Sequence, residues 1–259
     1  MSKNIEVLLR AKEATALLWS KSIPKEIPEV RRPPVPVEPI RATSLCGETS
    51  NSIGRSGEAE IVERVFLLPA YDVPHVVVFC GVGEADGAGG ICVRAGQLLA
   101  DQTGSSVCVV EGDFHSPSLH KYLGVENSRG LTDALFESGP IGDFVQCSPK
   151  ANLSVLPGGS RSGELQAAWN SECLRSRVAE LRREFSYVLV YSPQVSQHAG
   201  GLLLGQIADG VILILESMVT RRETARTAKE NLAAANVKIL GAVLNNHTFS
   251  IPENLYKRL

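Results

Sequence analysis

The chain has 259 residues, of which 44% are hydrophobic and 21% are charged, and its formal net charge is −2. This length suits one large α/β domain with an appendage. A net charge so close to zero provides no field to attract nucleic acid or an anionic membrane, and no apolar run reaches the roughly 18–20 residues that cross a bilayer. We therefore expect a cytoplasmic protein that binds no nucleic acid and has no direct membrane insertion. The six cysteines form no C-x-x-C pair, which predicts free thiols and no zinc or redox motif.

Composition divides the chain into three regions. Residues 1–21 space their apolar side chains, from Ile5 to Leu18, as a short amphipathic helix does. Residues 22–60 are rich in proline and then in serine, glycine and threonine. This composition predicts an extended linker, because proline blocks helices and central strands alike. Residues 61–259 have the pattern of a globular domain.

The predicted domain alternates strand-like and helix-like segments. The strand-like segments are nearly continuous apolar runs, as in strands covered on both faces: Val76–Cys80, Val107–Val110, Leu153–Leu156, Tyr187–Val190, Val211–Leu215 and Ile239–Leu244. The helix-like segments are Ile91–Gln102, Leu131–Phe136, Leu165–Phe185, Ala199–Ile207 and Arg221–Ala235. This alternation predicts a three-layer α/β fold with a mostly parallel sheet. Ligands of such folds bind beyond the carboxyl ends of the strands.

The loop after the first strand, residues 81–90, is rich in glycine. A glycine-rich turn between a strand and a helix presents main-chain N–H groups to a phosphate. A working P-loop adds a lysine and a serine or threonine, but the chain has no lysine between Val73 and Lys121. Two interpretations stay open, a plain tight turn and a degenerate nucleotide loop. Glu84 and Asp86 favour the plain turn, because acidic side chains repel phosphate.

The next loop carries a family resemblance. The segment Ser106–His120 resembles the second acidic motif of the CpsD/CapB bacterial tyrosine kinases, in which a strand ends in Asp-x-Asp and a basic pair and Pro-Ser-Leu-His follow. Further segments resemble the family in the same order: Gly124–Val125, Arg129–Leu135, Leu153–Gly159, Tyr187–Gln194, Ala208–Leu213 and Leu240–Asn245. The resemblance covers roughly residues 60–247 and implies a P-loop NTPase-like fold of the MinD/ParA type.

The resemblance also implies a nucleotide site with altered residues. Ala88 takes the position of the P-loop lysine, Gly89 that of the magnesium-binding hydroxyl, and Tyr191 that of the Walker B aspartate. Glu111 and Asp113 remain as candidate magnesium ligands. The degenerate nucleotide-binding set is Gly83, Gly87, Ala88, Gly89, Gly90, Tyr191 and Asn245, where Asn245 matches the asparagine that reads the adenine edge.

The tail differs from the family pattern as well. Active members carry a tyrosine-rich cluster at the carboxyl end as their autophosphorylation target. The end of this chain has Tyr256 alone, which is the candidate phosphorylation site.

The resemblance implies a role in capsule or exopolysaccharide biosynthesis. Because the lysine, the hydroxyl and the Walker B carboxylate are missing, we expect a catalytically impaired, pseudokinase-like regulator or scaffold. The implied partner is a membrane-anchored polysaccharide chain-length or co-polymerase protein, which would recruit the chain to the inner face of the plasma membrane. The helix in residues 1–21 is a candidate for that docking, or else packs on its own domain, and homo-oligomerisation stays open.

Two alternative functions remain. One is an active ATP-dependent protein-tyrosine kinase that uses Glu111 and Asp113 with an altered loop. The other is a MinD/ParA-like positioning ATPase, which needs the same missing lysine. No cofactor is assigned, and ATP or ADP with magnesium stays open as a ligand of the degenerate loop.

Overall fold

The computed structural model describes residues 57–68, 73–83, 87–148, 152–160, 172–192, 194–195 and 200–246. The predicted helix in residues 1–21, nearly all of the predicted linker and the candidate phosphorylation site Tyr256 lie outside the described residues. Within the described part, no helix is both long enough and apolar enough to cross a membrane.

The described elements follow one another largely as strand and helix in alternation. The strands are β1 (Val76–Gly81), β2 (Val107–Glu111), β3 (Gln146–Cys147), β4 (Leu153–Leu156), β5 (Tyr187–Ser192), β6 (Gly210–Glu216) and β7 (Ile239–Asn245). The helices are α1 (Gly57–Val62), α2 (Ala88–Thr103), α3 (Leu119–Leu123), α4 (Leu131–Phe136), α5 (Glu172–Glu184), α6 (Gly200–Ile207) and α7 (Arg222–Ala234). A π-helical turn, Glu63–Leu67, continues α1, and a 3-10 turn, Ile141–Phe144, precedes β3.

The strands form one seven-stranded sheet in the order β3-β4-β2-β5-β1-β6-β7. Every neighbouring pair is parallel except β3 and β4. All residues of β1 and β2 are buried, which agrees with their continuous apolar sequence. The six predicted strands and the mostly parallel sheet are therefore confirmed. The short antiparallel β3 was not predicted.

Helices cover both faces of the sheet, which makes three layers. One apolar cluster joins the sheet to α1, α2 and α3, with Ile61, Ile91 and Leu119 among its buried members. The other joins it to α4, α5, α6 and α7 through side chains such as Leu181 and Leu232. The predicted three-layer α/β fold is confirmed.

Helix α2 begins earlier than the sequence predicts. Residues 88–90 already form its first turn, and the N–H of Ile91 donates to the carbonyl of Gly87 at 3.0 Å. The helix also lies close to the sheet, because a β-carbon at Gly96 would come within 2.6 Å of Cγ2 of Val109. This packing holds the amino end of α2 at the carboxyl end of β1, where the fold class places its ligands.

Candidate functional site

The parallel strands bring the predicted site residues to one edge of the sheet. Tyr191 on β5 lies in register between Phe79 of β1 and Glu111 of β2. The N–H of Gly112, directly after β2, donates to the carbonyl of Tyr191 at 2.7 Å. The acidic loop after β2 and the Walker B position on β5 are therefore neighbours, as the resemblance implies.

The glycine-rich turn carries the lysine and hydroxyl positions at the start of α2. Gly83 has a φ of +77°, a conformation that side chains rarely adopt, which explains a glycine there. Ala88, at the lysine position, is buried in the apolar cluster under α2. Neither Ala88 nor Gly89 carries an amine or a hydroxyl. Glu84 and Asp86 lie outside the described residues.

Aromatic rings crowd the amino end of α2. A β-carbon at Gly89 would lie 3.6 Å from ring atoms of both Tyr122 and Tyr191, and 3.2 Å from Oγ of Ser118. Both rings thus lie at ordinary contact distance from the β-carbon position of Gly89. The two positions that the resemblance assigns to magnesium, Gly89 and Tyr191, are therefore in contact with each other and with α3.

Glu111 is fully buried and works as a helix cap. One carboxylate oxygen accepts from the N–H of Ser118 at 2.6 Å and of Leu119 at 2.8 Å, and the other accepts from the N–H of Asp113 at 3.1 Å. Burial raises the pKa of Glu111 to about 7, although these three N–H groups favour the charged form. Both oxygens hold the loop that leads into α3.

Asp113 stabilises the same loop. One of its carboxylate oxygens accepts from the N–H of His115 at 3.0 Å and of Ser116 at 3.2 Å, a common way for aspartate to close a turn. The two candidate magnesium ligands are thus close together, and each bonds main-chain N–H groups. No cluster of three or more potential metal-binding side chains occurs among the residues that the structure describes.

The structure also places Asn245 at the loop. Its side-chain amide lies directly against Gly87, where an added β-carbon would overlap it. The turn after β6 is tied to the same region, since Oγ1 of Thr220 donates to the carbonyl of Val82 at 3.2 Å. The structure therefore brings Gly87, Ala88, Gly89, Gly90, Glu111, Asp113, Tyr191 and Asn245 together at one edge of the sheet.

A second polar cluster, which sequence reasoning missed, lies beside the acidic loop. Asp133 is buried and accepts from the N–H of Gly130 at 2.9 Å and from the N–H and hydroxyl of Ser160, each at 3.2 Å. Asn127 donates to the carbonyl of Gly159 and accepts from its N–H. The spacing Gly130-x-x-Asp133 gives one half of a capping box, in which the side chain at the third helical position accepts from the N–H before the helix. Together with the acidic loop the cluster lines a cavity of about 290 Å³.

Tyr122 and Arg94 were also missed. Tyr122 lies on the short helix α3, which the sequence did not predict, and Arg94 lies on α2 next to the glycine pair. Nothing in the sequence indicates that both side chains lie near Gly90.

Solved structures share this fold. The chimerical protein CapA2B2 superimposes with a TM-score of 0.69 at 20% identity, over 74% of this chain and 84% of that one. The cell division ATPase MinD of Pyrococcus furiosus superimposes with a TM-score of 0.58 at 20% identity, over 71% of this chain and 78% of that one. The fold is therefore that of the P-loop NTPase-like proteins of MinD/ParA type, as predicted.

Similar proteins of known name indicate which class of P-loop NTPase-like protein the chain resembles. The tyrosine-protein kinase YwqD of Bacillus subtilis is 30% identical over 149 residues, which are 58% of this chain and 63% of the relative. The putative tyrosine-protein kinase CapB of Staphylococcus aureus is 22% identical over 56% of this chain and 63% of the relative. The chain thus spans less than two thirds of the length of these two relatives. No protein-family model matches the chain. The predicted resemblance to the CpsD/CapB-type bacterial tyrosine kinases is confirmed.

Proposed function

We propose that the chain is a catalytically impaired relative of the polysaccharide-associated bacterial tyrosine kinases and acts as a regulator or scaffold in capsule or exopolysaccharide biosynthesis. The observation that carries this proposal is the position of the rings of Tyr122 and Tyr191, each 3.6 Å from the place that a β-carbon at Gly89 would take. Phosphoryl transfer depends on positioning and on positive charge around the transferred phosphate. The rings of Tyr122 and Tyr191 supply neither positioning nor positive charge at the position where the resemblance implies magnesium.

The charges near the loop support the same proposal. Glu111 is buried with both oxygens bonded to main-chain N–H groups, so a metal ion that used it would compete with the bonds that hold this loop. The guanidinium of Arg94 is paired with Glu58 at 2.6 Å. A magnesium nucleotide therefore fits the residues of this site poorly.

The scaffold role would act through a partner. By resemblance this is a membrane-anchored polysaccharide chain-length or co-polymerase protein, which would recruit the chain to the inner face of the plasma membrane. The predicted helix in residues 1–21 is the proposed docking element, and the predicted linker between it and α1 would give it reach. Co-purification of the full chain with candidate membrane partners, compared with a chain lacking residues 1–21, tests this part. Equal recovery of a partner by both chains would contradict it.

Calorimetric titration of the purified chain with ADP and ATP, each with magnesium, tests the loss of the nucleotide site. We expect no measurable heat of binding, and the kinase domain of the Bacillus relative serves as the positive control under the same conditions. Dissociation constants in the micromolar range for the native chain would overturn the proposal.

Incubation with radiolabelled ATP and magnesium distinguishes the proposed function from the two alternatives, an active tyrosine kinase and a positioning ATPase. Incorporation of label by the chain alone would indicate an active tyrosine kinase. Dimerisation that depends on nucleotide would instead indicate a positioning ATPase of the MinD/ParA type. We expect neither result.

A further inference from the structure

The cavity of about 290 Å³ lies between the loop after β2 and the loop after β4. Among the residues that line it, Phe114, Thr132 and Gly158 are buried, whereas His115 and Ser160 are exposed. The cavity therefore has a buried floor and a mouth that opens to solvent. Its volume is at the lower end of the range of about 300–1,000 Å³ that small-molecule sites have. A ligand of one ring thus fits it better than a nucleotide or a peptide.

Hydrogen bonds hold the loops around this cavity in place. Gly159 has a φ of +92°, and an added β-carbon there would overlap Oδ2 of Asp133. The side-chain amide of Asn127 donates to the carbonyl of Gly159 at 3.2 Å and accepts from its N–H at 3.0 Å. On the other loop, Asp113 accepts from the N–H of His115 at 3.0 Å. Walls that are already formed lower the entropy that a ligand loses on binding.

The hydroxyl groups of the cavity present acceptors to a ligand. The hydroxyl of Thr132 donates its proton to the carbonyl of Gly158 at 2.7 Å, and that of Ser160 donates to Oδ1 of Asp133 at 3.2 Å. A hydroxyl has one proton and two lone pairs, so both oxygens can still accept. The amide of Asn127 carries two protons, and its bond to the loop after β4 uses one. A matching ligand therefore supplies several donors and at least one acceptor.

The lining also favours an uncharged ligand with an apolar face. Among the described lining residues there is no aspartate, glutamate, lysine or arginine. A charged ligand would give up hydration here without gaining a charged partner, which costs free energy. The rings of Phe114 and Pro117 supply apolar surface on the side of the loop after β2.

We propose that this cavity binds a neutral sugar of the size of one hexose ring. A pyranose ring has C–H groups on its faces, which suit Phe114 and Pro117, and hydroxyl groups at its rim. These hydroxyls can donate to Thr132 and Ser160 and accept from Asn127. The lining residues are separate from the degenerate nucleotide-binding set and from its two carboxylates. The sugar site is therefore additional to the proposed function and independent of the loss of nucleotide binding.

An NMR titration of the full, isotope-labelled chain tests the site. The probes are methyl β-glucoside, methyl β-galactoside and N-acetylglucosamine, each added to tens of millimolar. We expect saturable shifts of the main-chain amide signals of Thr132, Gly159 and Ser160, which line the cavity. Failure of all three sugars to shift these signals to saturation would overturn the proposal.

Charged sugars of the same size test the class of ligand. Glucuronate carries a negative charge and glucosamine a positive one. We expect both to bind more weakly than the neutral sugars, because the lining offers no opposite charge. Tighter binding of either one would show a site for a charged ligand and would contradict the proposal.

Variants of the two hydroxyl residues test the assignment to this cavity. Ser160→Ala and Thr132→Val each remove one acceptor, and each should weaken binding by about fivefold. Ser128→Ala is the matched control, since this exposed hydroxyl donates to Glu126 and does not line the cavity, and it should leave the dissociation constant unchanged. The amide spectrum of each variant without sugar shows that it is folded. Native dissociation constants in both Ser160→Ala and Thr132→Val would refute binding in this cavity.

Discussion

At the residue scale, Glu111 is the side chain whose charge the fold controls most directly. Its carboxyl is fully buried, and this burial raises its pKa from 4.5 to about 7. The same carboxyl holds the start of α3 through Ser118 and Leu119. A group that resembles a magnesium ligand in the sequence is therefore a structural cap with an unusual proton affinity.

This raised pKa predicts a pH dependence of stability. The folded chain binds the proton of Glu111 more tightly than the unfolded chain, so folding takes up a proton between pH 4.5 and about 7. The free energy of unfolding should fall as pH rises through this window, by up to about 3 kcal/mol from this group. In Glu111→Gln that contribution is absent. Urea denaturation of both proteins at about pH 5 and about pH 8 measures the difference, and equal changes with pH in both would contradict the assignment.

Gly112 allows the acidic loop to lie against β5. A β-carbon there would be 2.5 Å from the carbonyl oxygen of Tyr191 and 2.7 Å from Cδ1 of Leu204. We expect Gly112→Ala to lower the free energy of unfolding by about 1–3 kcal/mol, because main-chain atoms must move. Gly241→Ala is the control, since nothing lies within 4 Å of its β-carbon position. Thermal or urea denaturation compares the two, and a Gly112→Ala protein as stable as the control would show that the loop shifts freely.

At the element scale, Asp133 connects α4 to the loop after β4. Its carboxylate accepts from the N–H of Gly130 before the helix and from Ser160 beyond the strand. Removing it leaves the buried N–H of Gly130 without its acceptor, so Asp133→Ala should cost about 2 kcal/mol of stability. The exposed Asp143 offers a control, and Asp143→Ala should change stability by less than about 0.5 kcal/mol.

Urea denaturation measures the change in the free energy of unfolding for both variants, Asp133→Ala and Asp143→Ala. Hydrogen exchange of the Gly130 amide adds a local readout, because this N–H loses its acceptor only in the Asp133 variant. If Gly130 exchanged equally slowly in both variants, another group would be holding α4.

Elements with a continuous apolar pattern could be predicted from the sequence, and elements defined by tertiary contacts could not. The strands in the middle of the sheet have apolar runs of strand length that are rich in β-branched residues, and these two properties favour a strand over a buried helix. Strand β3 has two residues, too few to carry a period. Helix α3 has five residues and starts on the carboxylate of Glu111, which is a contact made only in the fold. Helix α1 begins at Gly57, inside a segment whose glycine and serine content predicts a linker.

The candidate site could likewise be predicted only where a local sequence pattern indicates it. Strand order places Glu111 and Tyr191 side by side, and the family motifs indicated this neighbourhood. Carboxylates that cap a helix and carboxylates that bind a metal ion have the same sequence pattern, so the sequence left the role of Glu111 open. The contacts of Tyr122 with Gly89 and Gly90 depend on the path of α3 over α2, which no local pattern encodes.

At the scale of the whole molecule, the division of the chain into residues 1–21, 22–60 and 61–259 stays a prediction, and limited trypsin digestion tests it. The first cuts should fall in the predicted linker, after Lys25, Arg31 or Arg41, because proteases cleave exposed polar segments without regular structure first. Cleavage after Arg94 should be late. Arg94 lies inside α2, and its chain neighbours Val93 and Ala95 are buried. Mass spectrometry of early fragments gives the order of cuts. Early cleavage after Arg94 together with a slowly cut linker would contradict the division, and it would mean that residues 22–60 are protected by contacts that their composition does not predict.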